Sequence, residues 1–364
     1  MAEIGKYIFG ILNSNTNLQL MIPKAYILDE GESNMVVYTI PYKDLSALVR
    51  DLKGFDSSPK SKEILARMLI GHQAVIERIM AHGATIIPMK LGTYAQDEKE
   101  VQAILHEGYP RMKEIMAKIR DKIEIDVVAT WSHFNSAVKD AAEKKEIKEF
   151  KERLLSQPRG ATVDDRMKIG LMIKKALDEK RAGVSREILE RLQAVSEDAR
   201  IHELMDDQMV MNAAFLITRA KHKDFEEKVE ELNKTMQEKL NFRCVGPLPP
   251  YSYYTLEAKK FHFEEIDRAR KKLGLLNERA TRGEIKKAHR AMVFSSHPDR
   301  KPDNPGIEKE FDEITQAYNV LWEYCRKDFC SFTEAEFPQN AFVIKVLGSP
   351  SLIMDGTHMD KIRE

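Results

Sequence analysis

The spacing of apolar and polar positions over the first 130 residues predicts alternating strands and helices. Short runs of β-branched and aromatic residues, flanked by polar turn residues, predict strands at Tyr7–Leu12 and Asn34–Ile40. From Lys62 to His82 the apolar residues recur every three or four positions, which predicts a helix whose apolar face covers a sheet. Gly83 ends this helix, and a strand is predicted at Ala84–Met89.

A second helix and a further strand complete this predicted N-terminal layer. The helix runs from about Asp97 to Lys122, and Ile123–Ala129 then alternates apolar and polar residues with a period of two. Helices that cover one face of a sheet form an α+β domain, which we expect to be ferredoxin-like. The stretch 136–157 is dominated by Lys and Glu and is either a solvated helix or a hinge between domains.

The middle of the chain predicts two more helices and a compact βαβ-like unit. The helices are Asp165–Lys180 and Ser185–Met205, the second with Ser185 as its N-cap. The unit consists of a buried strand at Val210–Ile217, a helix at Lys223–Leu240 and a strand at Phe242–Gly246.

A proline-rich corner follows at Gly246–Tyr254. Proline fixes φ and has no N–H to donate to a neighbouring strand, so we predict a structured loop. Its tyrosines either contact a partner protein or pack on the core of this chain, and the sequence leaves both alternatives open.

Composition narrows the functional class. A chain of 364 residues predicts two or three domains, and 58 basic against 58 acidic side chains argue against a dedicated nucleic-acid binder. Cys244, Cys325 and Cys330 form no CxxC pair or zinc-like spacing, so we expect buried, inert thiols in a reducing cytosol. The N-terminus carries no signal-peptide pattern and no apolar run is long enough to span a bilayer, which predicts a soluble cytoplasmic protein.

Four sequence blocks carry a resemblance to a known family. Gly246-Pro247-Leu248-Pro249-Pro250-Tyr251-Ser252 is similar to the Gly-Pro-Trp-Pro-Pro-Tyr-Ser motif of the GvpF/GvpL gas vesicle proteins, with Leu248 in the place of Trp. Ile86–Thr93, preceded by His72–Glu77, resembles the family's Leu-Pro-Met-Arg-Phe-Gly-Thr block. Tyr7–Ile11 and Ala214–Ile217 also fit, so the resemblance covers about residues 5–255.

This resemblance implies a two-part α+β protein that is accessory to gas vesicles. It implies contacts with the gas vesicle shell protein and with other accessory gas vesicle proteins, and no catalytic centre, cofactor or metal. We interpret His72 as a core histidine that a hydrogen bond satisfies, rather than as a catalytic base. The family-motif residues predicted to contact partners are Pro88, Met89, Gly92, Gly246, Pro247, Pro249, Pro250 and Tyr251.

A second resemblance lies near the C-terminus, around His297-Pro298-Asp299. Before this tripeptide, Thr281 and Glu284 form a capping-box pattern at the start of a basic helix. After it, an apolar stripe predicts a second helix, formed by Phe311, Ile314, Ala317, Tyr318 and Leu321. A basic helix, an HPD turn and a second helix in this order resemble a J-domain.

Charge supports the pairing of these two helices. Residues 278–302 hold seven basic and three acidic side chains, whereas residues 303–323 hold one basic and six acidic. This split favours antiparallel docking and leaves a positive outer face for an acidic partner, although a solvated charged hairpin is the alternative.

The J-domain resemblance assigns roles to the residues of this hairpin. It implies that His297 and Asp299 engage a DnaK-type chaperone from a turn shaped by Pro298, while a basic patch docks the chaperone surface. That patch consists of Lys286, Lys287 and Arg290. ATP hydrolysis belongs to the partner. His289 in place of the usual Tyr, and Ser295-Ser296 before the HPD turn, depart from the J-domain pattern.

The combined prediction is a cytoplasmic, gas-vesicle-associated assembly factor that is not an enzyme. It comprises a ferredoxin-like α+β domain, a second α/β domain with a helical insert, a small all-α J-domain hairpin and a C-terminal extension of unassigned role. The predicted boundaries are 1–132, 133–258, 259–330 and 331–364. A general J-domain co-chaperone with another client is the alternative. No catalytic motif supports an enzyme, 32% charged residues do not suit a main shell component, and no nucleic-acid or membrane partner is expected.

Overall fold

The computed structural model describes residues 4–23, 34–53, 61–156, 161–236, 239–295, 307–326, 329–338 and 340–348. Their contacts divide the chain into two units that each combine distant parts of the sequence. The first unit is drawn from residues 1–72, 89–114 and 256–346. The second is drawn from residues 73–88, 115–255 and 347–364. The four boundaries given above stay a prediction.

The described strands are β1 (Ile4–Leu12), β2 (Gln19–Pro23), β3 (Asn34–Tyr42), β4 (Leu45–Lys53), β5 (Ile86–Pro88), β6 (Tyr94–Ala95), β7 (Lys122–Trp131), β8 (Asp198–Ile201), β9 (Met209–Thr218), β10 (Leu240–Leu248), β11 (Thr255–Lys260), β12 (Arg279–Thr281), β13 (Phe329–Ser331) and β14 (Phe342–Leu347). The described α-helices are α1 (Lys62–Ala81), α2 (Glu98–Ile119), α3 (Phe134–Ala142), α4 (Lys145–Leu155), α5 (Val163–Gln193), α6 (His222–Thr235), α7 (Tyr251–Tyr254), α8 (Phe263–Lys272), α9 (Arg282–Ser295) and α10 (Ile307–Tyr324).

An antiparallel sheet forms the base of the first unit. Its strands lie in the order β2-β3-β4-β1, and the short β6 pairs with β1. The consecutive β1 residues Tyr7, Ile8 and Phe9 are all buried. Since neighbouring side chains on a strand point to opposite faces, β1 is covered on both sides. The strands predicted at Tyr7–Leu12 and Asn34–Ile40 are confirmed.

Helix α1 packs its predicted apolar face over only part of its length. His72, Val75 and Ile79 are buried, whereas Ile64 is 45% exposed and Leu69 is 55% exposed. The prediction that the whole face covers a sheet is therefore wrong for the first two turns, where apolar side chains remain exposed to solvent.

The second unit contains a ferredoxin-like sheet. Its strands lie in the order β10-β7-β9-β8, and the chain runs β7, helices, β8, β9, α6, β10. This is the split βαβ connectivity, with β7 between the two strands that α6 joins. The α+β class is confirmed. The ferredoxin-like order belongs to this sheet and not to the first one, where four strands precede the first helix.

Helix α5 replaces the two helices predicted between Asp165 and Met205. It is continuous from Val163 to Gln193, and Thr162 caps it in a reciprocal capping box with Asp165. Ser185 lies inside the helix, so its prediction as an N-cap is wrong. Residues 198–201 of the second predicted helix form strand β8 instead.

The proline-rich corner is partly strand and partly helix, not the loop that we predicted. Strand β10 continues through Pro247 to Leu248, with a cis bond between Gly246 and Pro247. An edge strand tolerates proline because one of its sides needs no N–H donor, and β10 is an edge strand. Residues 251–254 then form the single turn α7.

The C-terminal part of the first unit is a helical core framed by short strand pairs. Strand β11 pairs with β14, and β12 pairs with β13. These pairs bring the two ends of the segment together around α8, α9 and α10. Within the C-terminal extension, residues 342–347 form strand β14.

Candidate functional site

The α9–α10 hairpin begins at the predicted capping box. Glu284 Oε2 accepts the backbone N–H of Thr281 at 2.8 Å, and Thr281 Oγ1 accepts the N–H of Glu284 at 3.2 Å. This reciprocal pair satisfies two amide donors that the first turn of a helix otherwise leaves free. The start of the basic helix is therefore fixed by residues 281–284, as the sequence predicted.

The hairpin packs around a buried apolar cluster. Ile285 of α9 is fully buried with Ile314 and Leu321 of α10. Residues flanking the hairpin complete the same cluster, among them Phe261, Phe332, Ala341 and Val343. The predicted stripe on α10 is confirmed at Ile314, Ala317 and Leu321. The core of the hairpin thus includes Val343 of β14 and the nearby Phe332 and Ala341 as well as residues of the helices.

The three basic residues predicted to dock a chaperone all lie on exposed positions of α9. Lys286, Lys287 and Arg290 are exposed, whereas the intervening Ala288 and His289 are half-buried. A partner can therefore reach a cluster of positive charge along one side of this helix.

Arg282, one of the seven basic side chains counted in residues 278–302, has a structural role. Its Nε donates to the carbonyl of Cys325 at 2.7 Å and its Nη2 to the carbonyl of Trp322 at 3.2 Å. The guanidinium also lies 4.2 Å from the centre of the Trp322 ring. These contacts join Arg282 of α9 to carbonyls at the end of α10 and just after it.

His289, the departure from the J-domain pattern, lies at the interface between the two helices. Its ring stacks on Tyr318, with 4.1 Å between the ring centres and 19° between the planes. Burial lowers the pKa of His289. The His289 ring therefore contributes to the packing between the two helices and does not lie on the exposed side that carries Lys286 and Lys287.

The turn that gave the J-domain resemblance, His297-Pro298-Asp299, lies outside the described residues, as does the Ser296 that precedes it. Its role stays a prediction. The described ends of α9 and α10 bracket it at Ser295 and Ile307.

The family block at residues 86–93 connects directly to the strand that leads into this helical segment. Met89 pairs with Leu256 of β11, and the N–H of Lys90 donates to the carbonyl of Leu256 at 2.7 Å. The Lys90 ammonium lies 2.5 Å from the Glu257 carboxylate. Backbone pairing and an ion pair therefore join the two stretches within the first unit.

The same family block meets the first strand around Tyr7. The Tyr7 hydroxyl lies 2.6 Å from Nδ1 of His72, and a backbone hydrogen bond from Gly92 also reaches this tyrosine. Gly92 has φ +81°, a left-handed conformation that favours glycine. Burial lowers the pKa of His72 to about 4. His72 is thus a neutral core residue with a hydrogen-bond partner, as we interpreted it.

A buried polar cluster holds the proline-rich corner to β7 in the second unit. The Ser252 backbone N–H and hydroxyl both donate to the Glu124 carboxylate, at 2.9 and 2.8 Å. His202 Nε2 lies 3.0 Å from the Ser252 hydroxyl oxygen. Burial and the nearby Asp126 raise the pKa of Glu124. The Ser252 hydroxyl oxygen thus lies between the Glu124 carboxyl group and the His202 ring, and the cluster fixes the corner to β7.

Sequence reasoning missed Glu124 and Asp126. The alternating pattern of β7 assigned both to a polar face, yet Glu124 is 1% exposed. Ser252, which contacts Glu124, is distant from it in the sequence. The only sequence signal for this cluster was the position of Ser252 within the family motif.

The family-motif residues fall into two groups. Pro88, Met89, Pro249 and Pro250 are buried, so they support the fold and a partner cannot reach them. Their burial by the chain itself does not support the partner contact predicted for these four. Gly246 and Pro247 are exposed, and Gly92 and Tyr251 are half-buried; for these four the contact stays a prediction.

The tyrosines of the corner pack mainly on the chain itself. Tyr253 is 3% exposed, and its hydroxyl donates to the carbonyl of Ala214 at 2.8 Å and of Asp198 at 3.1 Å. The structure thus favours the second of the two alternatives given above for this segment.

Two further observations concern thiols and metals. Cys325 and Cys330 are buried as predicted, but Cys244 is exposed on an edge strand, so the prediction of three buried thiols is wrong there. Within the described ranges, no group of three or more His, Cys, Asp or Glu side chains is placed to hold a metal ion. None of the described helices is both long and apolar enough to cross a bilayer.

Comparison with known proteins identifies both parts of the chain. The family model for the gas vesicle synthesis protein GvpL/GvpF matches residues 5–255, and the DnaJ domain model matches residues 271–328. Gas vesicle protein F of Nostoc sp. is 22% identical over 68% of this chain and 97% of its own length. The corresponding protein of Streptomyces sp. is 29% identical over 57% of this chain and 84% of its own length.

The fold and the C-terminal segment have matches of their own. The crystal structure of GvpF from Anabaena sp. PCC7120 superposes with a TM-score of 0.56 at 21% identity, covering 68% of this chain and 97% of that one. The chaperone protein DnaJ of Bordetella petrii is 52% identical over 42 residues, which are 12% of this chain and 11% of that protein. The chain therefore belongs to the GvpL/GvpF family of gas vesicle synthesis proteins and carries a DnaJ domain at residues 271–328.

Proposed function

We propose that this protein is an assembly factor that binds the gas vesicle shell protein, or another accessory gas vesicle protein, and recruits a DnaK-type chaperone to it through the J-domain. The observation that carries this proposal is the presence of both family matches in one chain, over residues 5–255 and 271–328. The family match supplies the gas vesicle association, and the DnaJ match supplies the chaperone.

The exposed positive face of α9 supports the chaperone contact. Lys286, Lys287 and Arg290 are accessible on a helix whose opposite side is buried. Such a patch suits an acidic surface and steers its approach, an effect that added salt weakens. In this proposal Asp299 and His297 act on the chaperone from the adjoining turn, and the chaperone performs the ATP hydrolysis. The chain itself supplies contacts and not a catalytic centre.

Contacts between the C-terminal helical segment and α2 support the proposal that the chaperone is recruited to a fixed position on the first unit. Arg326 lies 3.1 Å from Glu107 of α2, and Lys260 forms an ion pair with Glu100 of the same helix. Glu100 is 6% exposed, so this second pair is shielded from water. Together with the pairing at Leu256, these contacts tie the segment to the first unit at several points.

The proposal is tested by co-expressing the host's shell protein with its DnaK-type chaperone and either this protein or its Asp299→Asn variant. We expect the wild type to raise the soluble or vesicle-incorporated fraction of shell protein, and the variant to lose this effect while still binding. Equal effects of both would contradict chaperone recruitment. Replacing the shell protein by an unrelated aggregation-prone protein tests the alternative, because a general co-chaperone would protect both alike.

A further inference from the structure

The N-terminal half of α5 presents an apolar stripe that the rest of the described second unit leaves uncovered. Val163, Met167 and Leu171 are 71%, 58% and 67% exposed. Steps of four residues place them along one side of the helix. An exposed stripe of this kind on a folded domain is typical of an interaction site.

The stripe continues the side of α5 that packs into the unit further along. Ile188 and Leu192 are fully buried. Ile188 lies about seven helical turns after Val163, and Leu192 about seven turns after Met167, so each pair lies on the same side of the helix. The first half of the helix instead buries its opposite side, through Asp165 and Ala176. The apolar side of α5 is therefore used as core at one end and left open at the other.

Positive charges flank the stripe. Arg166 lies on one side of it, Lys168 on the other, and Lys174 follows it, all on exposed positions. Lys175 is also exposed, but it faces Glu179 one turn later. The exposed acid of this half, Asp164, lies in the first turn, where it stabilises the helix dipole. A partner therefore meets apolar surface bordered by cations.

The helix end that bears the stripe is already formed. The Thr162–Asp165 capping box satisfies the backbone N–H groups of these two residues, and the Thr162 hydroxyl also donates to Asp165 at 2.7 Å. A partner therefore need not order this surface, which removes part of the entropic cost of binding.

We propose that this stripe binds a partner protein through an amphipathic helix whose apolar face is bordered by Asp or Glu side chains. The stripe is one residue wide and spans about 12 Å at 1.5 Å per residue, which matches the contact of a single helix. A lipid surface is the less suitable occupant, because three side chains in a line offer little area for insertion. This inference does not depend on the J-domain.

Binding of a synthetic probe tests the proposal on the full chain. The probe is a fluorescent helical peptide with Leu at i, i+3, i+4 and i+7 and Glu at its polar positions, compared with a peptide that has Lys in place of Glu. We expect saturable binding of the Glu peptide, weakened at least about tenfold by Leu171→Glu, and by added salt as screening requires. The Lys peptide is expected to bind far more weakly.

Two control variants show whether peptide binding depends on the stripe itself. Met205→Glu makes the same change at a residue that is 78% exposed in the same unit, and it should leave the affinity within about twofold. Asp299→Asn should also bind the peptide normally, which separates this surface from the proposed chaperone role. Equal affinity for both peptides, no effect of Leu171→Glu, or binding of anionic phosphatidylglycerol vesicles in place of the Glu peptide would each overturn the proposal.

Discussion

The hydroxyl of Tyr7 on β1 and Nδ1 of His72 on α1 lie 2.6 Å apart in the buried interior of the first unit. Both residues belong to sequence blocks by which the chain resembles the GvpF/GvpL family, and Gly92, from the same block as His72, bonds to the same tyrosine. The family blocks thus meet in space, where they hold a strand, a helix and a turn together. Their role at this place is structural.

Removing this hydrogen bond should destabilise the protein. Tyr7→Phe leaves Nδ1 of His72 buried without its partner, which should lower the free energy of unfolding by about 1–3 kcal/mol. Urea denaturation followed by tryptophan fluorescence measures the change. Tyr38→Phe is the matched control, because the Tyr38 hydroxyl bonds to Asp51 in an exposed position, and it should cost less than about 0.5 kcal/mol.

Stability should fall on the acid side because of His72. Burial lowers its pKa from 6.5 to about 4 in the folded protein, so the unfolded chain binds more protons between these two values. The contribution is present above pH 6.5 and is lost as the pH falls toward 4, with a limit on the order of 3 kcal/mol. Urea midpoints measured across this range should decline less in His72→Gln than in the wild type; an unchanged slope would count against this assignment.

Glu124 should act in the opposite direction. Burial and Asp126 raise its pKa, so its contribution to stability is present below the ordinary pKa of a glutamate and is lost as the pH rises through the raised value. Glu124→Gln keeps the shape and an acceptor for Ser252 but cannot ionise. Thermal unfolding at rising pH should show a smaller loss of stability in the variant than in the wild type, and parallel losses in both would show that another group is responsible.

Gly246 should resist substitution. A Cβ atom there would lie 2.9 Å from the backbone oxygen of Glu124 and 2.6 Å from Ile125 Cδ1. Gly246→Ala should therefore cost about 1–3 kcal/mol, because the contact with the backbone oxygen forces β10 and β7 apart. Gly183→Ala provides the contrast, since nothing lies within 4 Å of its Cβ position inside α5. It should stabilise the helix by roughly 0.5–1 kcal/mol, as the thermal midpoint will report.

Charge reversal on α9 should remove the chaperone response and leave the fold intact. Lys286→Glu combined with Arg290→Glu replaces two exposed cations, so circular dichroism and the thermal midpoint should change little. The rate at which the protein accelerates ATP hydrolysis by the chaperone should fall at least about tenfold, through weaker docking. Lys223→Glu, at a side chain that is 85% exposed in the second unit, is the control and should retain acceleration.

The sequence predicted local elements well where a single periodicity ran through them. The strand at Tyr7–Leu12, the capping box at Thr281 and Glu284 and the stripe on α10 depend on neighbours within a few residues, which the sequence displays directly. The long helix α5 was predicted as two, because its buried side changes between Ala176 and Ile188. A helix prediction that assumes one constant buried face therefore ends where the buried side changes.

The site was harder to predict wherever it depends on distant contacts. Glu124 is an ordinary polar position of an alternating strand until Ser252 folds over it from 128 residues away. Ile64 and Leu69 continue the apolar face of α1, but no local pattern shows that the packing surface ends before them. In the sequence Arg282 is one more positive charge, whereas in the structure it donates hydrogen bonds to the carbonyls of Trp322 and Cys325.

Single-turnover ATP hydrolysis by the host's DnaK-type chaperone tests the central proposal most directly. The rate is measured with this protein or its Asp299→Asn variant, each with and without the host's gas vesicle shell protein. We predict that the wild type accelerates hydrolysis, that shell protein increases the acceleration further, and that the variant does neither. Wild type and variant that leave the basal rate equally unchanged would contradict the account.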